Sequence, residues 1–202
     1  MIFLDTILGE LLQIFKREGI NANSDADLIR KLDIRSSTFQ ELFASRDDMV
    51  LKAVRHDNET MKQEQAKMLE KASNPVEEIM MILVDGIERM KQINPVYIAD
   101  LQQYSEAWEV NVDFITSNNQ LVNAEILNRG ILQGYFRKDI NLQLVTKIIL
   151  EQFFMLINPM VFPPQKYNLS EVFRSVYLYY IRGICTEAGG KQAEEFFARN
   201  NV

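Results

Sequence analysis

From Ile2 to Phe15 the apolar positions are Ile2, Phe3, Leu4, Ile7, Leu8, Leu11, Leu12, Ile14 and Phe15. Most fall at spacings of three and four, which predicts an amphipathic helix, and Gly19 is placed to end it. After the polar linker Asn21–Asn23, Ser24 suits a helix N-cap and Asp25 and Asp27 its first turn. The next helix, about Asp25 to Leu32, turns Leu28, Ile29 and Leu32 to a core. A tight turn at Asp33-Ile34-Arg35 follows, and Ser36 or Ser37 can cap a second short helix carrying Phe39, Leu42 and Phe43. Ser45 caps a long helix, 46–72, whose middle from His56 to Gln65 is too polar for a broad buried face, so it reads as a connector. Asn74-Pro75 stops it and starts a helix with the stripe Val76, Ile79, Met80, Leu83, Ile87 and Met90. Beyond Asn94-Pro95 the pattern predicts helices at about Val96–Tyr104, Ala107–Phe136, Leu142–Ile157 (capped by Asn141), Ser170–Glu187 and Lys191–Arg199, with Gly189-Gly190 between the last two. No alternating strand pattern occurs. The prediction is an all-α chain of nine or ten helices, divided near residue 48 into a small helical head, 1–48, and a larger helical body, 49–202.

Composition narrows the function. Of 202 residues, 47% are apolar and 25% charged, with 8 Gly and 5 Pro, which fits a folded helical protein and argues against turn-rich sandwiches and barrels. One Cys (Cys185) and one His (His56) leave no disulfide framework, no Cys- or His-based metal site and no Ser-His-Asp chemistry. No Gly-rich phosphate loop or nucleophile elbow is present. An enzyme, a cofactor and a metal are therefore not expected. The opening Met1-Ile2-Phe3-Leu4-Asp5 lacks the basic start of a secretory leader, and no run of about 18 uncharged apolar residues exists to span a membrane. The expected compartment is the cytoplasm. Residues 1–50 hold six basic side chains (Lys16, Arg17, Arg30, Lys31, Arg35, Arg46) against nine acidic ones (Asp5, Glu10, Glu18, Asp25, Asp27, Asp33, Glu41, Asp47, Asp48), a net charge of −3.

Two short helices around a tight turn, with a stabilising helix before them, form a helix-turn-helix unit, whose second short helix can enter a DNA major groove. The segment from Ser24 to Met49 resembles the TetR family of bacterial transcriptional regulators. Ser24, Ile34, Thr38, Phe43, Ser45 and Asp48 match its outline, and Arg46 stands in for a lysine. The departures are Asp33 and Ser37 at positions where glycine is frequent, Gln40 in place of a tyrosine, and no basic N-terminal arm. The resemblance implies that Ser24 and Arg46 contact phosphates and that Arg35, Ser36, Ser37 and Gln40, with Thr38 among them, approach bases. Arg35 is the first candidate for base reading, its alternative being a solvated turn residue. Three readings of the head stay open: DNA binding through a local cluster of Arg30, Lys31, Arg35 and Arg46; weak binding that needs a dimer or a second signal; or a protein-interaction module that no longer binds DNA.

The resemblance also implies a small-molecule effector held inside the body and a homodimer on double-stranded operator DNA. Met61, Met80, Leu83, Ile87, Tyr104, Trp108, Phe114 and Phe153 are candidate lining residues, since Met and aromatic groups suit a mostly apolar ligand; the alternative for each is ordinary core. The helices at 142–157 and 170–187 are apolar on more than one face, so part of that surface needs a partner. Ile148, Phe154, Phe173, Tyr177, Tyr180 and Ile181 are the candidate dimer contacts.

Overall fold

A computed structural model describes residues 2–156, 158–163 and 165–200. Among them are ten helices: α1 (Ile2–Glu18), α2 (Asp25–Lys31), α3 (Ser36–Leu42), α4 (Arg46–Leu69), α5 (Pro75–Gln92), α6 (Pro95–Leu101), α7 (Ser105–Leu132), α8 (Leu142–Leu156), α9 (Leu169–Ile184) and α10 (Glu187–Asn200). No described helix is long and apolar enough to cross a membrane. The chain forms two compact units, one from residues 1–64 and 92–115, the other from 65–91 and 116–202.

The first unit is built on the apolar stripe of α1. Leu11 and Phe15 are buried with Ile20, Leu28, Met49 and Val50. Gly19 ends α1 at φ +95°, and a Cβ there would stand 2.9 Å from both Asp100 Oδ2 and Val96 Cγ1, so only glycine lets the α1–α2 turn close on α6. Asp100, itself buried, accepts hydrogen bonds from Asn21 N (2.9 Å) and Asn21 Nδ2 (3.1 Å). Asn94 caps α6 through Val96 N (3.0 Å) and donates to the end of α1, from its N to Lys16 O (2.8 Å) and from Nδ2 to Arg17 O (3.1 Å). Burial pushes the Tyr97 phenol well above its ordinary pKa, with the nearby Asp57 charge adding to the rise.

The second unit centres on Val76, Met80, Ile126, Leu127, Phe136 and Ile181. Asn141 caps α8 through Leu144 N (3.1 Å), as the sequence predicts, and Asn74, ahead of the predicted start at Pro75, caps α5 through Glu77 N (2.9 Å). The buried Glu78 carboxylate is held by both terminal nitrogens of Arg129. Two expectations need correction. The long helix ends at Leu132, because Gly134 adopts φ +80° and the chain then forms an isolated bridge between Phe136 and Cys185. Gly189-Gly190 does not separate two helices but lies inside α10: a Cβ on Gly189 would stand 2.1 Å from the Tyr135 carbonyl oxygen, so a close backbone approach and not a break requires glycine there.

Gly130 makes the same point within α7. A Cβ would fall 2.2 Å from Cδ2 of the fully buried Phe136 ring. Alanine favours a helix over glycine by about 1 kcal/mol, yet forcing that ring aside costs about 1–3 kcal/mol. Gly130→Ala is therefore expected to lower stability by about 1 kcal/mol, read as a reduced urea midpoint; a raised midpoint would contradict the contact. Burial pushes the Cys185 thiol up to about 11, so at pH 8 its thiolate fraction, and with it the rate of modification by an aromatic disulfide reagent, is expected to be about 100-fold below that of an ordinary exposed thiol. A native rate equal to the urea-unfolded rate would overturn this.

Candidate nucleic-acid interface

The interface is assembled from local signals. Ser24 and Asp27 form a capping box: Ser24 Oγ accepts from Asp27 N (3.2 Å), Asp27 Oδ2 accepts from Ser24 N (3.1 Å), and the hydroxyl donates to the same carboxylate (2.6 Å). These bonds from Ser24 hold the Asp27 carboxyl below its usual range. Asp33 sits at φ +50°, the left-handed backbone that Asp tolerates better than most residues, and this closes the turn between α2 and α3. Leu28, Phe39 and Phe43 are buried, the two rings meeting edge to face at 5.1 Å. With Phe39 turned inward, α3 exposes Ser36, Ser37, Gln40 and Glu41, while Thr38 is half-buried. The helix begins differently from expectation. Neither serine caps it; Arg35 is the N-cap at φ −73°, ψ 148°, with no side-chain cap bond. Its extended backbone starts the helix at Ser36, which puts both hydroxyls inside the first turn, where they cannot reach back over it. Ser45 does cap α4, through Asp48 N (3.1 Å), and Asp48 returns a bond to Ala44 N (2.9 Å). The Lys52 ammonium, then the Ala44 N–H, keeps the Asp48 carboxyl below its ordinary value.

The cations are the decisive part. Arg30 pairs with Asp27 (2.5 Å) and Arg17 with Glu18 (2.7 Å). Lys16 pairs with Asp57 (2.7 Å), and Lys31 with Glu18 and with Asn23 Oδ1 (2.7 Å). Lys31, then Arg17 and Asn23, pull the Glu18 carboxyl down to about 2. Arg46 points back into its own unit, donating to Ile20 O (2.5 Å), Asn23 O (2.8 Å) and Asp25 Oδ1 (2.7 Å), with the Phe15 ring 6.0 Å beneath it. Of the six basic residues among the first 50, Arg35 alone has an exposed side chain with no hydrogen bond or ion pair among the described residues. Of the expected cluster Arg30, Lys31, Arg35 and Arg46, only Arg35, at the start of α3, carries no side-chain partner among the described residues. Ser24 and Arg46, the phosphate contacts implied by the resemblance, are both engaged inside the head. The pairing of Lys31 and Arg46 was hidden in the sequence because Lys31 reaches back 13 residues and Arg46 reaches back 21 for its acid.

The body residues distribute differently from one another. Met61, Tyr104, Trp108 and Phe114 belong to the first unit and are half-buried; Met80 and Leu83 lie in the second unit's core, at 0% and 2% exposure. The side chains of Ile87 and Phe153 lie outside the described residues, as do those of Phe173 and Tyr177. A depression of about 420 Å³ in the second unit has a polar rim that includes Asn74, Glu77, Gln192 and Arg199, and holds none of the expected lining residues. Among the candidate dimer contacts, Ile148 is 42% exposed, Phe154 and Tyr180 are half-buried, and Tyr180 donates to Val145 O (3.4 Å). Ile181 is 1% exposed and packs in its own core, leaving no surface for a partner. Sequence reasoning counted Leu144 among the apolar positions of α8 but did not single out two other exposed residues: Met155, which shares a face of α8 with Leu144 and Ile148, and Tyr179 on α9. The spacing 144, 148, 155 was the available signal.

No protein-family profile matches the chain. A curated relative, the HTH-type transcriptional repressor KstR2 of Mycobacterium tuberculosis, is 25% identical over 149 residues, covering 70% of this chain and 74% of the relative. The solved structure of that ketosteroid transcriptional regulator superposes with a TM-score of 0.60 at 20% identity, over 92% of this chain and 96% of the other. A TetR-family transcriptional regulator from Agrobacterium tumefaciens superposes at 0.71 with 17% identity, over 91% and 97%.

Proposed function

We propose, from the premise that this chain is a TetR-family transcriptional regulator, that it binds operator DNA as a homodimer and that a small, mostly apolar effector in its helical body controls that binding. It acts in the cytoplasm, where operator DNA is found. Residues 1–48 are the DNA-reading part in this proposal and 49–202 the effector-binding and dimerising part. The observation that carries it is the exposed, unpaired Arg35 at the entry to α3, beside the exposed Ser36, Ser37 and Gln40. Arginine, serine and glutamine are side chains suited to base edges in a major groove. Ser24 caps α2, and Arg46 ties the start of α4 to the α1–α2 turn.

For the effector, Met61, Tyr104, Trp108 and Phe114, or Met80, Leu83, Ile87 and Phe153, remain the candidate contacts, each set apolar enough for such a ligand. The mechanism requires two heads on one dimer to meet half-sites one helical turn apart. The connector α4 starts in the head at Arg46, and a ligand that prefers one tilt of α4 alters head spacing and so DNA affinity, by no more than its differential affinity for the two states. For the dimer, Leu144, Ile148 and Met155 give α8 an exposed apolar stripe, which a two-fold copy with its own α8 and α9 would cover. Ile148→Glu is expected to weaken the dimer by about 100-fold, since a charge left unpaired in an apolar interface costs about 3 kcal/mol. Sedimentation velocity at micromolar concentration reads this, and an unchanged dimer moves the interface elsewhere.

Gel-shift binding to DNA upstream of the protein's own gene, at low salt, with and without cell extract, tests the function. Retention that the extract alters is the expected result. No retention by a folded dimer would instead favour a protein-interaction module, the reading supported by the head's net acidity.

A further inference from the structure

We infer that Glu41 is a specificity-determining residue of the head, whose carboxylate accepts a hydrogen bond from the exocyclic amino group of a cytosine and disfavours sites that lack one. This rests on the DNA-binding reading above. The four exposed residues of α3 form two rows at a spacing of four, Ser36–Gln40 and Ser37–Glu41, with Phe39 buried on the other side. A duplex that meets Arg35, Ser36 and Gln40 therefore meets Glu41 as well. Four other carboxylates of the head are occupied, Glu18 by Lys31 and Arg17, Asp25 by Arg46, Asp27 by Arg30 and Asp48 by Lys52; of those without such a partner among the described residues, Glu41 is the one on the exposed face of α3. The Glu41 side chain has no hydrogen bond or ion pair among the described residues, so it brings an uncompensated negative charge to the face that carries the free Arg35.

That charge decides what it can read. An ionised carboxylate only accepts hydrogen bonds. In the major groove cytosine offers a donor, guanine and thymine offer acceptors, and adenine sets its donor beside the N7 acceptor. Only against cytosine does the carboxylate find a donor without an adjacent repelling lone pair. Against any other base, or against phosphate, it repels. A head with one free cation gains little from non-specific phosphate contact, and Glu41 lowers that background further.

Selection of bound sequences from random DNA at low salt, run in parallel on the full-length wild type, Glu41→Gln and Glu41→Ala, tests this. The wild type is expected to enrich cytosine at one position of each half-site. Both variants are expected to lose that preference by about tenfold while the other positions persist, and Glu41→Gln should shift the position towards adenine. Both should also bind non-specific DNA more tightly. Three identical motifs overturn the role of Glu41 and leave DNA binding standing. No enriched motif for any of the three, with helical folding confirmed by circular dichroism, overturns both.

Discussion

Arg35→Ala is expected to weaken operator binding by between about 30-fold and about 20,000-fold. An arginine paired with guanine discriminates by roughly 1–3 kcal/mol, and the proposed homodimer would lose two such contacts, or about 2–6 kcal/mol. The loss should fall on cognate DNA and leave random DNA almost unaffected. The substitution removes no intramolecular partner, since Arg35 makes no side-chain bond in the head, so the fold should be unchanged by circular dichroism and thermal melting. The same geometry sets the salt response. With at most one free cation per head, log K against log salt should fall with a slope no steeper than about −2 for the dimer, where six to ten phosphate contacts would give about −5 to −9. A steep slope would mean that Arg30, Lys31 or Arg46 abandons its carboxylate on binding. Equal cognate affinity in wild type and Arg35→Ala would remove the residue from the interface.

Arg46→Ala is expected to act on the fold first and on DNA only through it. The Arg46 side chain is 23% exposed and joins the start of α4 to the α1–α2 turn through Ile20 O and Asn23 O, with Asp25 as a third partner. The Asp25 carboxylate is 58% exposed, so that ion pair contributes little, about 0–1 kcal/mol. The two carbonyl bonds, charge-assisted and partly buried, carry the effect, together about 2–3 kcal/mol. A urea titration should show a lower midpoint by that amount. Arg46→Lys should restore only part of it, because an ammonium cannot span three acceptors as a planar fork does. The salt slope of DNA binding, measured where the variant is fully folded, should stay that of the wild type. Unchanged stability together with a slope shallower by about two for the dimer would make Arg46 a phosphate contact instead.

These two arginines show where the sequence stops being legible. Both stand in the same short segment, both are basic, and the resemblance gives both to DNA. Their difference lies in what comes near them after folding. Arg46 meets two backbone carbonyls and a carboxylate that are more than 20 residues away in the chain; Arg35 meets none.

Local chemistry was enough for much of the remainder. Spacings of three and four gave the helices, and Ser24, Ser45, Asn74 and Asn141 marked helix starts, because a cap is a bond between a side chain and a backbone group two or three residues on. Gly19 and Asp33 were readable as turns for the same reason: left-handed backbone is a property of one residue. From these alone came the helical class, the helix-turn-helix and the net acidity of the head. Tertiary structure decided what depends on distant partners. It put Gly189 inside a helix, against a carbonyl 54 residues earlier, where the sequence suggested a break. It buried Ile181 and left Ile148 exposed on an adjacent helix, although both belong to strongly apolar stretches, since hydrophobicity says that a side chain wants cover but not whether its own chain supplies it. And it paired five of the first six cations with acids, because attraction between charges depends on separation in space, which a count along the chain does not record.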